Sequence, residues 1–104
     1  MEKIFITCDH AAFEAKEFLK KEFSDIDFID LGTNSTESVH YPEFGKKIAQ
    51  SVLESNGRGI ALCGSGIGIS IQVNRFKGIR GALCRSIEDA KMSRLHNNSN
   101  VLCL

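Results

Sequence analysis

Apolar and polar positions change period several times along the chain, and each change marks an element. Lys3 to Cys8 is mostly apolar and β-prone, which predicts a first strand ended by Asp9-His10. From Ala11 to Phe23, the residues Ala12, Ala15, Phe18, Leu19 and Phe23 recur at helical spacing. They predict an amphipathic helix, with Glu17 and Lys21 paired on its outer side. Asp27 to Leu31 predicts a second strand closed by Gly32, and Thr33 to His40 is a polar loop without period. Tyr41-Pro42 opens a second helix, proline being tolerated in a first turn. Phe44, Ile48 and Val52 then recur every four residues toward the core, and Asn56-Gly57 is a stop signal. Gly59 to Leu62 is a short apolar run that predicts a buried strand leading into Cys63-Gly64-Ser65-Gly66-Ile67-Gly68.

The next segment reads two ways. Ile67, Ile69, Ile71 and Val73 alternate, which is a strand period. Two arguments favour a helix: the chain otherwise alternates strand and helix, and a strand here would make the glycine loop a hairpin between two very apolar strands. Gly78 to Leu83 predicts a fourth strand. Ser86, with Asp89 three residues on, caps a helix from Ile87 to about His96. Asn97-Asn98-Ser99 turns, and Asn100 to Leu104 begins a fifth strand. This alternation predicts an α/β fold: one domain over residues 1–104, with a doubly wound, mostly parallel five-stranded sheet between helices in a three-layer αβα (Rossmann-like) arrangement. Ligands of such sheets bind outside the carboxyl ends of the strands. Asp9-His10, Cys63 with its glycines, and Arg85 all fall there.

Composition narrows the classes. The chain has 104 residues, 42% hydrophobic and 25% charged, as expected of one globular domain. Thirteen basic residues balance thirteen acidic ones, so no basic excess points to nucleic acid or an anionic membrane. No apolar run approaches the length of a membrane span, and the N-terminus has no signal-peptide pattern. The four cysteines have no metal-ligand or redox-pair spacing. The expectation is a cytoplasmic protein with reduced thiols, in which Cys8, Cys84 and Cys103 are core residues.

The glycine loop carries the candidate chemistry. Its alternate glycines let the backbone turn sharply and approach a ligand. A helix starting near Ile67 would aim free N–H groups at that loop, forming a site for negative charge. A helix N-terminus also favours the thiolate of a nearby cysteine. Cys63 is therefore a candidate nucleophile or base beside an anion cradle, or else an ordinary buried strand residue before a tight turn. The loop is neither a dinucleotide fingerprint nor a Walker A loop: the spacing is G-x-G-x-G and no Gly-Lys-Ser/Thr follows. Asp9-His10 is an acid–base pair or a hydroxyl clamp on one reading, and a helix-capping turn on the other. His96 ends a helix, where the dipole alone accounts for it. Arg85 and Arg94 are candidate phosphate ligands, or solvated surface residues.

Taken together, the motifs point further. Cys8-Asp9-His10, Asp30-Leu31-Gly32-Thr33, Tyr41-Pro42, Cys63-Gly64-Ser65-Gly66-Ile67-Gly68-Ile69-Ser70, Asn74-Arg75-Phe76 with Gly78-Ile79-Arg80, and Ser93-Arg94-Leu95-His96-Asn97 occur in that order. In combination they resemble the type B ribose-5-phosphate isomerases and their galactose-6-phosphate isomerase relatives, over the whole chain. The resemblance implies an aldose–ketose isomerase that needs no metal or other cofactor and takes a phosphorylated sugar. It implies Cys63 as the base that moves a proton between C1 and C2. Backbone N–H groups of Gly64, Ser65, Gly66, Ile67 and Gly68 would stabilise a cis-enediolate, and Ser65 would shuttle the proton on the oxygens. By the same resemblance His96 opens the furanose ring, and Asp9, His10, Tyr41 and Asn97 line the sugar. Another branch of the family carries a glutamate where this chain has Ile69, so the chain resembles the cysteine branch.

Topology adds one inference. His96 ends a helix that starts at the carboxyl edge of the sheet, so it belongs near the edge opposite Cys63 of its own chain. Both serve one site only if a second subunit supplies His96. The expectation is a homodimer with shared active sites, or a tetramer, with neither nucleic acid nor membrane as partner. The family continues past the fifth strand into a segment carrying phosphate-clamping arginines, whereas this sequence ends at Leu104. The resulting expectation is a family fold with weak or absent turnover. Two alternatives remain: an isomerase of a six-carbon sugar phosphate such as galactose 6-phosphate or allose 6-phosphate, and a truncated, non-catalytic sugar-phosphate-binding module.

Overall fold

The structure, a computed structural model, describes residues 3–32 and 41–104, without the side chains at positions 41–43. The polar loop expected over Thr33 to His40 lies outside the described residues, as does the side chain of Tyr41. The elements are β1 (Lys3–Cys8), a short 3-10 turn (His10–Ala12), α1 (Phe13–Glu22), β2 (Asp27–Asp30), α2 (Tyr41–Ser55), β3 (Arg58–Leu62), α3 (Ile67–Val73), β4 (Gly81–Leu83), α4 (Ile87–Asn97) and β5 (Val101–Cys103). Every described strand pairing is parallel, and the order across the sheet is β2-β1-β3-β5-β4.

Side-chain alternation divides the strands between two cores. Ala61, Val101 and Cys103 point to one face, under Ile48, Ala49 and Val52 of α2 and Ile69 and Val73 of α3. Ile6, Cys8, Ile60, Leu62 and Leu104 point to the other, where Ala12, Phe13 and Leu19 pack on them. α4 covers this second face as well, since Ala90 and Ser93 border a cavity floored by Ile60 and Leu102. The arrangement is therefore the expected three-layer α/β sandwich. α2 and α3 approach so closely that a Cβ on Gly45 would lie 2.8 Å from Cβ of Gln72.

Three local expectations need correction. The predicted first helix begins as a 3-10 turn, and its buried stripe is shifted. Ala15 and the 60%-exposed Phe18 lie outward, while Lys16 is fully buried with Ala12. The reason is electrostatic: Lys16 Nζ donates to both oxygens of Asp30 at 2.8 and 2.7 Å, which satisfies the buried charge. Glu17 meets Lys20 at 3.4 Å and Lys16 at 3.7 Å, so the expected pair with Lys21 is not formed. Finally, β4 begins at Gly81 and not at Gly78, because Arg80 N–H donates to the Asn100 side chain instead of a neighbouring strand.

Strand order also fixes where a ligand site belongs. From β1 the chain moves outward to β2 on one side; from β3 it passes to β4 at the other edge and returns to insert β5 between them. The direction reverses between β1 and β3, and the crevice beyond their carboxyl ends is the topological switch point. Asp9-His10 follows one of these strands and Cys63 the other. Among the described residues, no helix is long and apolar enough to cross a membrane.

Candidate active site

The loop after β3 wraps its own cysteine. Cys63 is only 8% exposed, and its N–H is tied to the Leu104 carbonyl at 3.1 Å. The chain then turns through Gly66, at φ +77°, and the Gly66 N–H points back at Cys63 Sγ, 2.9 Å away. A donor aimed at sulfur supports negative charge there. No other residue fits at position 66: a Cβ would stand 2.6 Å from Cδ1 of Leu83 and 2.8 Å from the Leu104 carbonyl carbon. α3 starts immediately afterwards, so the segment that alternates like a strand is a helix. Ser65 Oγ accepts the Ile67 N–H at 3.2 Å. Two of the N–H groups expected to form the anion hole, those of Gly66 and Ile67, are thus engaged within the loop. Those of Gly64, Ser65 and Gly68 remain as candidates for a ligand.

The end of β1 meets this loop from the side. Asp9 N–H donates to the Leu62 carbonyl at 3.0 Å, and a Cβ on Gly64 would make ordinary contact with Ala11 at 3.5 Å. Asp9 is buried and its Oδ1 accepts the Ala12 N–H at 3.0 Å, capping the 3-10 turn. His10 is exposed at the same edge. Behind them the Gly32 carbonyl accepts from both Cys8 N–H and Thr7 Oγ1 at 3.0 Å, and Gly32 N–H donates to Asp30 at 2.9 Å. Burial pushes the Asp30 carboxyl pKa up, but hydrogen bonds from Lys16, Lys20 and Gly32 outweigh it and hold it below its ordinary value. The Asp30 hydrogen bond raises the pKa of Lys20 in turn.

His96 and Asn97 are elsewhere. α4 is capped by Ser86, whose Oγ accepts the Asp89 N–H at 3.1 Å beside the carboxyl end of β4. It runs back to the amino edge, where Asn97 joins Arg80, Gly81, Ala82, Ser93 and Ser99 around an open cleft of about 400 Å³. His96 is exposed there. A smaller cavity of about 190 Å³, between α4 and the sheet, opens on the same side. Within one chain the structure therefore brings Cys63, Ser65, the glycines, Asp9 and His10 to one edge, and leaves His96 and Asn97 at the other.

A sequence model of the family described as Ribose/Galactose Isomerase matches residues 4–104. The chain belongs to this family. Ribose-5-phosphate isomerase B of Escherichia coli (strain K12) is 41% identical over 106 residues, covering 98% of this chain and 70% of that protein. A galactose-6-phosphate isomerase subunit of Clostridium acetobutylicum is 39% identical, over 97% of this chain and 60% of its own length. The crystal structure of a ribose 5-phosphate isomerase from Thermotoga maritima superposes with a TM-score of 0.93 at 49% identity, over 97% of this chain and 72% of that one.

Two features of this family member escape motif reading. One is the ion cluster of Lys16, Lys20 and Asp30 behind the β1 edge. Its signal is a lysine at a core position of a helix, i,i+4 from Ala12, followed by an acid at a strand end. The other is the thiol neighbourhood of the site. Cys103 is fully buried, and its pKa is pushed up to about 12, by burial first and then by nearby Cys84 and Cys63. Spacing gives no hint of this, because the three cysteines meet only through the sheet.

Proposed function

We propose that this chain interconverts ribose 5-phosphate and ribulose 5-phosphate through a cis-enediolate, with Cys63 as the base. The observation that carries the reading is the Gly66 N–H on Cys63 Sγ, inside a glycine loop at the switch point of the sheet. In the open-chain aldose, the Cys63 thiolate removes the proton from C2 and the electron pair moves onto the carbonyl oxygen at C1. The N–H groups of Gly64, Ser65 and Gly68 face that developing charge, where preorganised donors act most strongly. Ser65 transfers the hydroxyl proton from O2 to O1, and the Cys63 thiol returns its proton to C1. A sulfur base suits the step because its pKa can be tuned close to the working pH.

His96 acts earlier, as the acid–base group that opens the furanose ring, and Asn97, Tyr41, His10 and Asp9 contact the sugar. Oδ1 of Asp9 caps the turn, so its other oxygen is the one available to a sugar hydroxyl. Because Cys63 and His96 lie at opposite edges, the reading requires a homodimer with two composite sites, each taking His96 and Asn97 from the second subunit. Exposed Ile67 and Ile71 beside the loop and Leu95 beside His96 support an apolar contact at both halves of such a site.

An isomerisation assay with ribose 5-phosphate, wild type beside Cys63→Ala at equal folded concentration, tests the reading. Turnover lost in the variant supports it, and turnover equal in both overturns it. A second substrate is favoured by the galactose-6-phosphate isomerase relative. Six-carbon aldose phosphates belong in the same assay, and a higher kcat/KM for them would reassign the sugar without changing the mechanism.

A further inference from the structure

α4 contributes no buried residue, so apolar packing does not fix the end that carries His96 and Asn97. Polar contacts hold it instead. The chain reverses at Asn98, which takes the left-handed conformation at φ +47°, and Asn98 N–H closes on the Ser93 carbonyl. From outside the helix, Arg80 Nε donates to the Asn98 carbonyl at 2.7 Å. Arg80 Nη1 donates to the Gly78 carbonyl at 3.3 Å, which orients the guanidinium. Its main chain is locked to the same turn: Arg80 N–H donates to Asn100 Oδ1 at 2.7 Å, and the Arg80 carbonyl accepts the Asn100 N–H at 3.0 Å. Arg94 donates to the next carbonyl, that of Ser99. A cation at a helix C-terminus also meets the negative end of the helix dipole.

We propose that Arg80 is the positioning residue for His96 and Asn97. It clamps the carbonyl two residues beyond His96 and, with Asn97, lines the cleft at the amino edge. It couples the start of β4 to the proposed ring-opening group, and fixes where the imidazole stands when it reaches into the composite site. This role rests on the proposed function of His96. A guanidinium is suited to it because its planar fork holds the N–H donors in fixed directions toward the two carbonyls, whereas an ammonium on a flexible stem does not fix them.

The test reads His96 directly in the ligand-free protein, by the imidazole carbon–proton resonances of its three histidines, with His96 assigned through His96→Gln. In Arg80→Ala the His96 resonance is expected to move or broaden while that of His10 stays in place, and Arg80→Lys is expected to restore it only in part. Unchanged His96 resonances, or equal changes at His10, overturn the proposal. With ribose 5-phosphate, kcat of Arg80→Ala is expected to fall by about tenfold to a hundredfold with KM within about twofold, the scale of a misplaced catalytic group. Loss of turnover that only follows loss of folded protein overturns it. If Arg80→Ala does not fold, Arg80→Lys carries both measurements. A wild type that isomerises no sugar phosphate defeats the isomerase reading alone, and the resonance measurement then decides the place of Arg80 by itself.

Discussion

Gly66 and Cys63 are joined through a backbone N–H and a sulfur 2.9 Å apart, and the positive φ of Gly66 makes that contact possible. A side chain at position 66 is excluded twice, by the left-handed backbone and by the main chain of Leu104. Gly66→Ala should therefore lose about 1–3 kcal/mol of stability and release the N–H from the sulfur. Gly64→Ala is the control, since its Cβ would meet Ala11 at an ordinary 3.5 Å, and its urea midpoint should stay close to that of wild type. Equal midpoints for the two variants would count against the strained turn.

Asp30 should contribute to the acid limb of stability. Its folded pKa is depressed, because Lys16, Lys20 and the Gly32 N–H outweigh the burial that would raise it. A depressed carboxyl pKa stabilises the fold above the unfolded value of about 3.9, and this is lost as pH falls through the folded value. Asp30→Asn should cost on the order of 3 kcal/mol at neutral pH, since fully buried Lys16 loses its bidentate carboxylate. The variant should also show a flatter fall of the urea midpoint on acidification. Parallel acid limbs in wild type and variant would assign that loss to other carboxylates.

Much of this architecture is legible in the sequence for physical reasons. Ile67, Ile69, Ile71 and Val73 mimic a strand because alternation contains two i,i+4 pairs. In the helix, Ile69 and Val73 are buried while Ile67 and Ile71 face outward. The alternation of elements on either side, and the implausible apolar hairpin that a strand would create, resolve that ambiguity. The opposite placement of His96 and Cys63 also follows from topology, because a helix after a parallel strand must return to the amino edge. Lys16 was not legible, since a charge is buried only when a partner such as Asp30 arrives from another strand. The insertion of β5 between β3 and β4 was equally hidden, because strand order depends on contacts that no local pattern carries.

At alkaline pH Cys103 should contribute to the loss of stability, beside Lys20, whose pKa the Asp30 hydrogen bond raises. Burial is the main cause that pushes its pKa up to about 12, with Cys84 and Cys63 adding to it. A raised pKa means that the fold favours the neutral thiol. This stabilisation is complete below the unfolded value of about 9 and is lost as pH rises through about 12. Wild type should therefore lose urea stability steadily above that unfolded value, and Cys103→Ala should lose less over the same range. Identical alkaline slopes would remove Cys103 as a cause.

The separation of Cys63 and His96 makes the sharpest prediction about assembly. Cys63→Ala lacks the proposed base and His96→Gln the proposed ring-opening group, so each should be nearly inactive alone. If every site takes Cys63 from one subunit and His96 from the other, a mixed dimer of the two variants holds one doubly damaged site and one intact site. Unfolding the variants together and refolding them should then restore ribose 5-phosphate turnover, up to half of wild type per mixed dimer. The distance between sheet edges forbids this rescue in a monomer, and a site built within one chain would leave each subunit damaged. A refolded mixture no more active than the sum of its parts would therefore rule out the shared site, even if each parent variant is dead.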